Sequence, residues 1–232
     1  MNNLEDTFDY CNNVDVYVKN NCKLKSVVAV ASEHNFKSIV VDSNRLVELV
    51  KELKNINSNI SPIALIDGPE GNSSVDIRAY SIVSAKEKGA KEIEMYAPMH
   101  LIDTRNFRKI YEDLQNCMNI SSKHEISFKY IINDMYKPLP DDIKTKLCRL
   151  FSTINLGYIT FAFSKQQNNH SDNIIKMRFF KNKTESKIKT YIKDASKEDF
   201  AAFVKAGVDT IGLDWEIAPY LVHAYENMVI KR

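Results

Sequence analysis

The chain has 232 residues, 44% of them hydrophobic and 27% charged, so it is long enough and apolar enough to bury a full globular core. Its 32 basic and 30 acidic residues leave a formal net charge of +2, which argues against a dedicated nucleic-acid or membrane-surface protein. The first 30 residues lack the pattern of a secretory signal, and no apolar run reaches the length of a membrane span. We therefore expect a cytoplasmic protein with reduced cysteines.

Eight short runs rich in Ile, Val, Phe and Tyr follow one another along the chain and predict β-strands. They cover residues 14–18, 37–42, 63–67, 92–97, 126–133, 158–163, 188–192 and 209–213. Segments with helical spacing lie between them. After the third strand, for example, Val75, Ala79, Ile82 and Val83 recur at i, i+4, i+7 and i+8, which predicts an amphipathic helix.

Strict alternation of strands and helices is typical of a parallel sheet. Eight such units predict an α/β fold, a closed (β/α)8 TIM barrel, as one domain over residues 1–232. Gly89 and Gly207 follow predicted helices at the position where a left-handed residue ends a helix. The alternative is an open doubly wound sheet, but the first turn, "VYVKNNCKLK", lacks the glycine-rich sequence usual there.

Polar residues gather at or near the predicted carboxyl ends of the strands, where barrels of this kind place their chemistry. They are Asp42, Asp67, Glu70, Glu94, Asn133, Asp134, Thr160, Lys165, Lys189 and Asp214, and we expect several of them to share one mouth. Taken singly, most have a structural explanation, such as a helix cap for Asp42 or a Gly-Pro turn for Asp67. Glu94 and Lys189 differ, because each lies inside a strand, where an unpaired charge is costly; pairing or function is expected.

Two segments resemble the deoxyribose-phosphate aldolases. Residues 67–98 carry "GPEG" and then "GAKEIEMY", similar to that family's F-P-x-G and G-A-x-E-I-D-M-V. The segment "KTYIKDASKEDFAAFVKAGVDTIGLDW", from Lys189, is similar to K-A-S-G-G-I-R-T-x-E-D-A followed by A-G-A-x-x-I-G-T-S-S. The resemblance runs roughly from Asp15 to Trp215. It implies a TIM barrel and a carbon–carbon lyase acting on a small carbonyl or sugar substrate.

The family's mechanism implies three roles. A lysine on strand six forms a Schiff base, a lysine on strand seven lowers its pKa, and a carboxylate on strand four moves protons through a water. Lys189 matches the strand-seven lysine, and Glu94 stands where the family has Asp. On strand six, "YITFAFS" offers Thr160 or Ala162, depending on a gap, where the resemblance implies the Schiff-base lysine.

The phosphate site that the resemblance implies is also changed. Ile192 and Lys193 replace the family's Gly-Gly turn, and Asp214 and Trp215 replace its Ser-Ser turn. Lys165 matches a basic residue after strand six that contacts phosphate in some members. Trp215 would either stack on a flat or sugar-like ligand or plug the pocket as part of the core.

Two hypotheses about function stay open. The first is a divergent carbonyl-chemistry enzyme in which Lys189, paired with Glu94, or Lys129, on the same strand face as Asn133, becomes the nucleophile. The second is a barrel without lyase activity that binds a small metabolite or a partner protein.

A third hypothesis, a metal site built from Asp67, Glu94 and Asp214, ranks last because these residues come from separate strands. We therefore expect no metal and no cofactor. The expected partner is a small carbonyl or sugar-like molecule, with no nucleic acid and no membrane, and homodimer formation stays open.

Overall fold

The chain folds into a closed barrel of eight parallel strands in the computed structural model, which describes residues 13–18, 22–133, 139–164 and 170–230. The strands pair in chain order, and the last pairs with the first. They are β1 (Val14–Tyr17), β2 (Ser38–Asp42), β3 (Ser61–Ile66), β4 (Glu92–Tyr96), β5 (Ser127–Asn133), β6 (Tyr158–Ser164), β7 (Lys187–Lys193) and β8 (Thr210–Asp214). The predicted TIM barrel is confirmed, and each predicted strand overlaps an observed one.

Helices alternate with the strands, and an additional short one, α4, precedes α5. Those in the described ranges are α1 (Leu24–Glu33), α2 (Leu46–Asn55), α3 (Val75–Glu87), α4 (Met99–Asp103), α5 (Phe107–Lys123), α6 (Asp141–Ile154), α7 (His170–Lys183), α8 (Lys197–Lys205) and α9 (Ala218–Ile230). Gly89 and Gly207 follow α3 and α8 with φ of 97° and 80°, as their predicted role at helix ends requires. None of the helices among these described residues is long and apolar enough to cross a membrane.

Alternate residues of each strand face opposite sides of the barrel wall, and the two sides differ in chemistry. Outward-facing residues such as Ile39, Ile93 and Phe161 are fully buried beneath the helices and belong to the main apolar core. The inside of the barrel instead carries polar and aromatic side chains, with two small apolar clusters separate from that core. Most apolar surface is thus buried between the strands and the helices, so the inside of the barrel can hold charged side chains.

Candidate active site

The two charged residues singled out inside strands make direct contact in the barrel interior. Nζ of Lys189 on β7 donates a hydrogen bond to Oε1 of Glu94 on β4, and both side chains are 0% exposed. The same Nζ lies 2.6 Å from Oδ2 of Asp15 on β1, which is also fully buried. One lysine is therefore shared between two buried carboxylates.

Lys129 of β5 enlarges this pair into a network. Its Nζ lies 2.8 Å from Glu92 Oε2, 3.4 Å from Asp15 Oδ2 and 3.7 Å from Glu94 Oε1. The network thus holds two lysines against three carboxylates, a formal excess of one negative charge. The Glu92 side chain is 17% exposed, while that of Lys129 is 1% exposed.

Two hydroxyl donors stabilise the excess negative charge. Ser38 Oγ donates to Asp15 Oδ1 at 2.5 Å, and the Tyr17 hydroxyl donates to Glu94 Oε2. Hydrogen bonds to an ionised acceptor are about twice as strong as neutral ones, so the Ser38 hydroxyl favours the ionised form of Asp15. Burial and the neighbouring Glu94 carboxylate raise the pKa of Tyr17 well above its usual range, so the phenol stays a donor.

The network also fixes the protonation of its own members. Burial acts to raise the pKa of Asp15, but the charges of Lys129, Lys189 and Lys37 outweigh it and hold that pKa well below the usual range. Burial acts to lower the pKa of Lys129, but Asp15, Glu94 and Glu92 raise it above the usual lysine value. Asp15 is therefore ionised and Lys129 protonated at neutral pH.

Strand six presents no amine to this network. Thr160 pairs in register with Lys189 and is fully buried, so it occupies the wall position beside the retained lysine. Its Oγ1 has no hydrogen-bond partner among the described residues. Ala162 pairs instead with Tyr191 and packs in the apolar cluster nearer the mouth. Of the two strand-six candidates, Thr160 is the neighbour of Lys189.

Three tyrosines cover the network on its carboxyl-terminal side. Each follows a network residue by two positions on its strand, so it lies above that residue on the same face: Tyr17 after Asp15, Tyr96 after Glu94 and Tyr191 after Lys189. The Tyr17 and Tyr191 rings stack with their centroids 4.0 Å apart, and Lys189 Nζ lies 4.7 Å from the Tyr17 centroid. We call these three side chains the tyrosine cover.

Two glycines leave room for the tyrosine cover. A Cβ added at Gly212 of β8 would lie 2.5 Å from a ring carbon of Tyr17, and one added at Gly68 would lie 2.7 Å from a ring carbon of Tyr96. Separations this short are overlaps, so a larger residue at either position would force a ring to move. The cover is therefore matched to the backbone around it.

At the end of β8, the side chains of Asp214 and Trp215 contact other residues of this protein. The hydroxyl of Tyr191 donates to Asp214 Oδ1 at 2.9 Å, and Asp214 is buried. Trp215 is half-buried and packs against the main apolar core, and its Nε1 has no hydrogen-bond partner in the described part of the chain. Of the two predicted roles for Trp215, packing agrees with this position. In the replaced Gly-Gly turn, Ile192 is buried and Lys193 exposed.

Two of the polar strand-end residues, Asp67 and Asp42, make other contacts, and the expectation that several of these residues share one mouth stays a prediction. Asp67 binds the buried Arg78 at 2.5 Å and accepts a hydrogen bond from Ser73 Oγ, so it anchors the β3–α3 loop. Asp42 does not cap α2, whose N-cap residue is Arg45; its backbone oxygen accepts from the Arg45 N–H instead.

Of four further predicted residues, two line a cleft and two cannot be placed. Glu70 and Asn133 line a cleft, while Lys129 and Asn133 both lie on β5, four positions apart; a shared role for those two residues stays a prediction. Lys165 and Asp134 lie outside the described residues. The three carboxylates of the metal hypothesis are separated by their partners: Arg78 for Asp67, Lys189 for Glu94 and Tyr191 for Asp214. Across the described ranges, no three His, Cys, Asp or Glu side chains are arranged to hold a metal ion.

Sequence reasoning missed Asp15, Glu92 and the tyrosine cover. A signal for most of them exists, because the pattern charged-x-Tyr occurs in three predicted strands, as "DVY" at 15–17, "EMY" at 94–96 and "KTY" at 189–191. In a strand this spacing puts the charge and the ring on one face.

Comparison with known proteins points to one family. No protein-family model matches the chain. A deoxyribose-phosphate aldolase of Streptococcus suis is 26% identical over 201 residues, covering 84% of this chain and 86% of the relative. One from Clostridium perfringens is 23% identical over 188 residues, covering 81% and 82%.

Solved structures show the same fold. An aldolase named QR15 superposes with a TM-score of 0.79 at 16% identity, covering 97% of this chain and 99% of the other. The deoxyribose phosphate aldolase of Aeropyrum pernix, described as tetrameric, gives 0.79 at 15% identity, covering 98% and 94%. Similarity along most of the sequence, together with the shared barrel, makes this protein a divergent relative of the deoxyribose-phosphate aldolases.

Proposed function

We propose that this protein binds a small metabolite on an aldolase scaffold and does not carry out Schiff-base aldol cleavage. One observation carries the proposal: the Lys189 amine is 0% exposed, held between Asp15 and Glu94 and covered by tyrosines. A Schiff-base lysine must present a neutral amine to a carbonyl carbon. The burial of Lys189 and the tyrosine rings above it oppose that access.

The other lysine of the network fits catalysis no better. Lys129 is buried, and its carboxylate neighbours raise its pKa, whereas activation of a lysine calls for a nearby positive charge or an apolar pocket. Thr160, the strand-six neighbour of Lys189, has no amine. The charged side chains of the network therefore act mainly to neutralise one another.

The former phosphate end supports the same proposal. Asp214 places a carboxylate there, and two unit negative charges at ~4 Å repel by about 4 kcal/mol at an effective dielectric near 20. Ile192 brings a side chain where close approach to an anion calls for glycine. We expect phosphate and sugar phosphates to stabilise the protein against heat by almost nothing at millimolar concentration.

One observation favours a second candidate, a divergent lyase that uses Lys189. The contact between Lys189 and Glu94, extended by the Tyr17 hydroxyl on the same carboxylate, is a chain along which a proton can move. This candidate requires the Tyr17–Tyr191 stack to part so that a carbonyl substrate reaches the amine.

Reductive trapping tests both candidates. The protein is incubated with acetaldehyde, glyceraldehyde or deoxyribose 5-phosphate, reduced with borohydride and mapped by mass spectrometry, with the Streptococcus suis relative as positive control. We expect an adduct on the relative and none inside this barrel. An adduct on Lys189 that is lost in Lys189→Met would favour the divergent lyase and refute the proposal.

Turnover gives an independent measure. Loss of the covalent nucleophile should lower the rate of deoxyribose 5-phosphate cleavage by several orders of magnitude. A rate within roughly 1–10³ s⁻¹, the usual enzyme range, would contradict the proposal.

A further inference from the structure

A cleft of about 370 Å³ is bordered by residues that follow β3 and β4, by the end of β5 and by the start of α6. We call it the side cleft. Its position is on the carboxyl-terminal side of the strands, where barrels of this fold bind their ligands, and the tyrosine cover is not among its lining residues. Its volume lies within the range of small-molecule sites.

The side cleft combines an apolar floor with a polar rim, the composition typical of a ligand pocket. Met99, Leu139 and Ile143 supply apolar surface. Asn133 at the end of β5 is only 5% exposed, and its Nδ2 donates to the Pro69 carbonyl at 2.7 Å. The base of the cleft is thus tied to the end of a barrel strand and does not depend on surface side chains alone.

Hydrogen bonds order one side of the rim. Nδ2 of Asn72 donates to Glu70 Oε2 at 2.7 Å, and Asn72 Oδ1 lies 3.1 Å from Nδ1 of His100. This chain orients the Glu70 carboxylate from one side and leaves its other oxygen available to a ligand, because a carboxylate accepts through both oxygens.

The charge of the lining selects the class of ligand. Glu70 and Asp103 contribute two carboxylates, whereas the one arginine, Arg105, is bound to Asp142 at 2.5 Å. Among the lining residues that the structure describes, the arginine charge is therefore neutralised and the carboxylates are in excess. A cation with an aliphatic body complements both the carboxylates and the apolar floor.

We propose that the side cleft binds a small organic amine, whose ammonium group contacts Glu70 and Asp103 while its alkyl chain covers Met99 and Ile143. The inference rests on the proposed function, because it assigns the ligand class and the site of that binding role. In this proposal the ligand binds at the loops beside β4 and not to the network inside the barrel.

An NMR titration with three probes of matched size tests this assignment. 1-Aminobutane carries the charge, butan-1-ol is its neutral counterpart and butanoate its anionic one. We expect saturable shifts of the Asn72, Met99 and Asp103 amides with 1-aminobutane in the millimolar range, with at least about fivefold weaker binding of the other two. Equal binding of butan-1-ol, tighter binding of butanoate or no saturable shift would overturn the proposal.

Variants that each replace one carboxylate by an amide locate the interaction. Glu70→Gln and Asp103→Asn alter exposed side chains, and each should weaken 1-aminobutane binding by at least about fivefold. Glu87→Gln, an equal charge change at the exposed far end of α3, should leave it unchanged. If Glu87→Gln weakens binding as much, the attraction is non-specific and the site is wrong. A lysine adduct in the trapping experiment would refute the proposed function separately, without bearing on this titration.

Discussion

Removing Lys189 should destabilise the protein more than removing the charge of its partner Glu94. Lys189→Met leaves Lys129 as the remaining lysine of the network, in contact with the carboxylates of Asp15, Glu92 and Glu94, and breaking a buried ion pair in this way typically costs about 3–5 kcal/mol. Glu94→Gln instead leaves two lysines facing two carboxylates. It should cost about 1–3 kcal/mol, for the charge-assisted hydrogen bonds that Glu94 accepts.

The double variant should lose less than the sum of the two single losses. Once Lys189 is absent, Glu94→Gln removes a carboxylate that lacks its main partner, so a coupling of about 1–3 kcal/mol is expected. Guanidinium unfolding, followed by circular dichroism and by fluorescence of the single tryptophan, Trp215, gives each free energy of unfolding.

A surface ion pair supplies the matched control for this cycle. Arg108 and Glu112 form a 2.9 Å pair on α5, with side chains 89% and 54% exposed, and the cycle of Arg108→Met with Glu112→Gln should show coupling below about 0.5 kcal/mol. Additive losses at Lys189 and Glu94, or a larger loss for Glu94→Gln than for Lys189→Met, would refute the network as described.

Three further predictions concern stability at low pH, packing under the tyrosine cover and the reactivity of the buried thiols. The pKa of Asp15 is depressed in the folded state, so the stabilisation by this carboxylate is present above the unfolded pKa of about 4 and is lost as the pH falls further. In a plot of unfolding free energy against pH, Asp15→Asn should therefore reduce the slope between about pH 4 and pH 2 by up to about 1.4 kcal/mol per pH unit. Gly212→Ala should lower stability by about 1–3 kcal/mol, because its Cβ overlaps a stacked ring, whereas Gly157→Ala, with open space at its Cβ, should change it far less; equal losses would argue against a tight cover. Burial raises the pKa of Cys117 and Cys148 to about 11, so neither should react with a disulfide reagent at pH 8 until the protein unfolds, and rapid labelling of the native protein would contradict their burial.

The strands, the barrel and the central ion pair could be predicted from the sequence because they depend on local patterns. Runs of β-branched and aromatic residues alternating with helical spacing are visible within a few residues, and eight such units suffice for a closed barrel. Glu94 and Lys189 stood out because a charge alone inside a strand is costly, and the family resemblance implied that the two meet.

Tertiary structure alone decided which other side chains join that pair and which leave it. Asp15 reaches Lys189, 174 positions later, only because closure pairs β1 with β8 and brings the first strand close to β7. The same closure stacks Tyr17 on Tyr191 and covers the amine. Asp67, although it follows a strand as predicted, is taken by Arg78 in the β3–α3 loop. The alternation of side chains along a strand is a local property, whereas the height at which side chains of distant strands meet is set by strand tilt and stagger around the whole barrel.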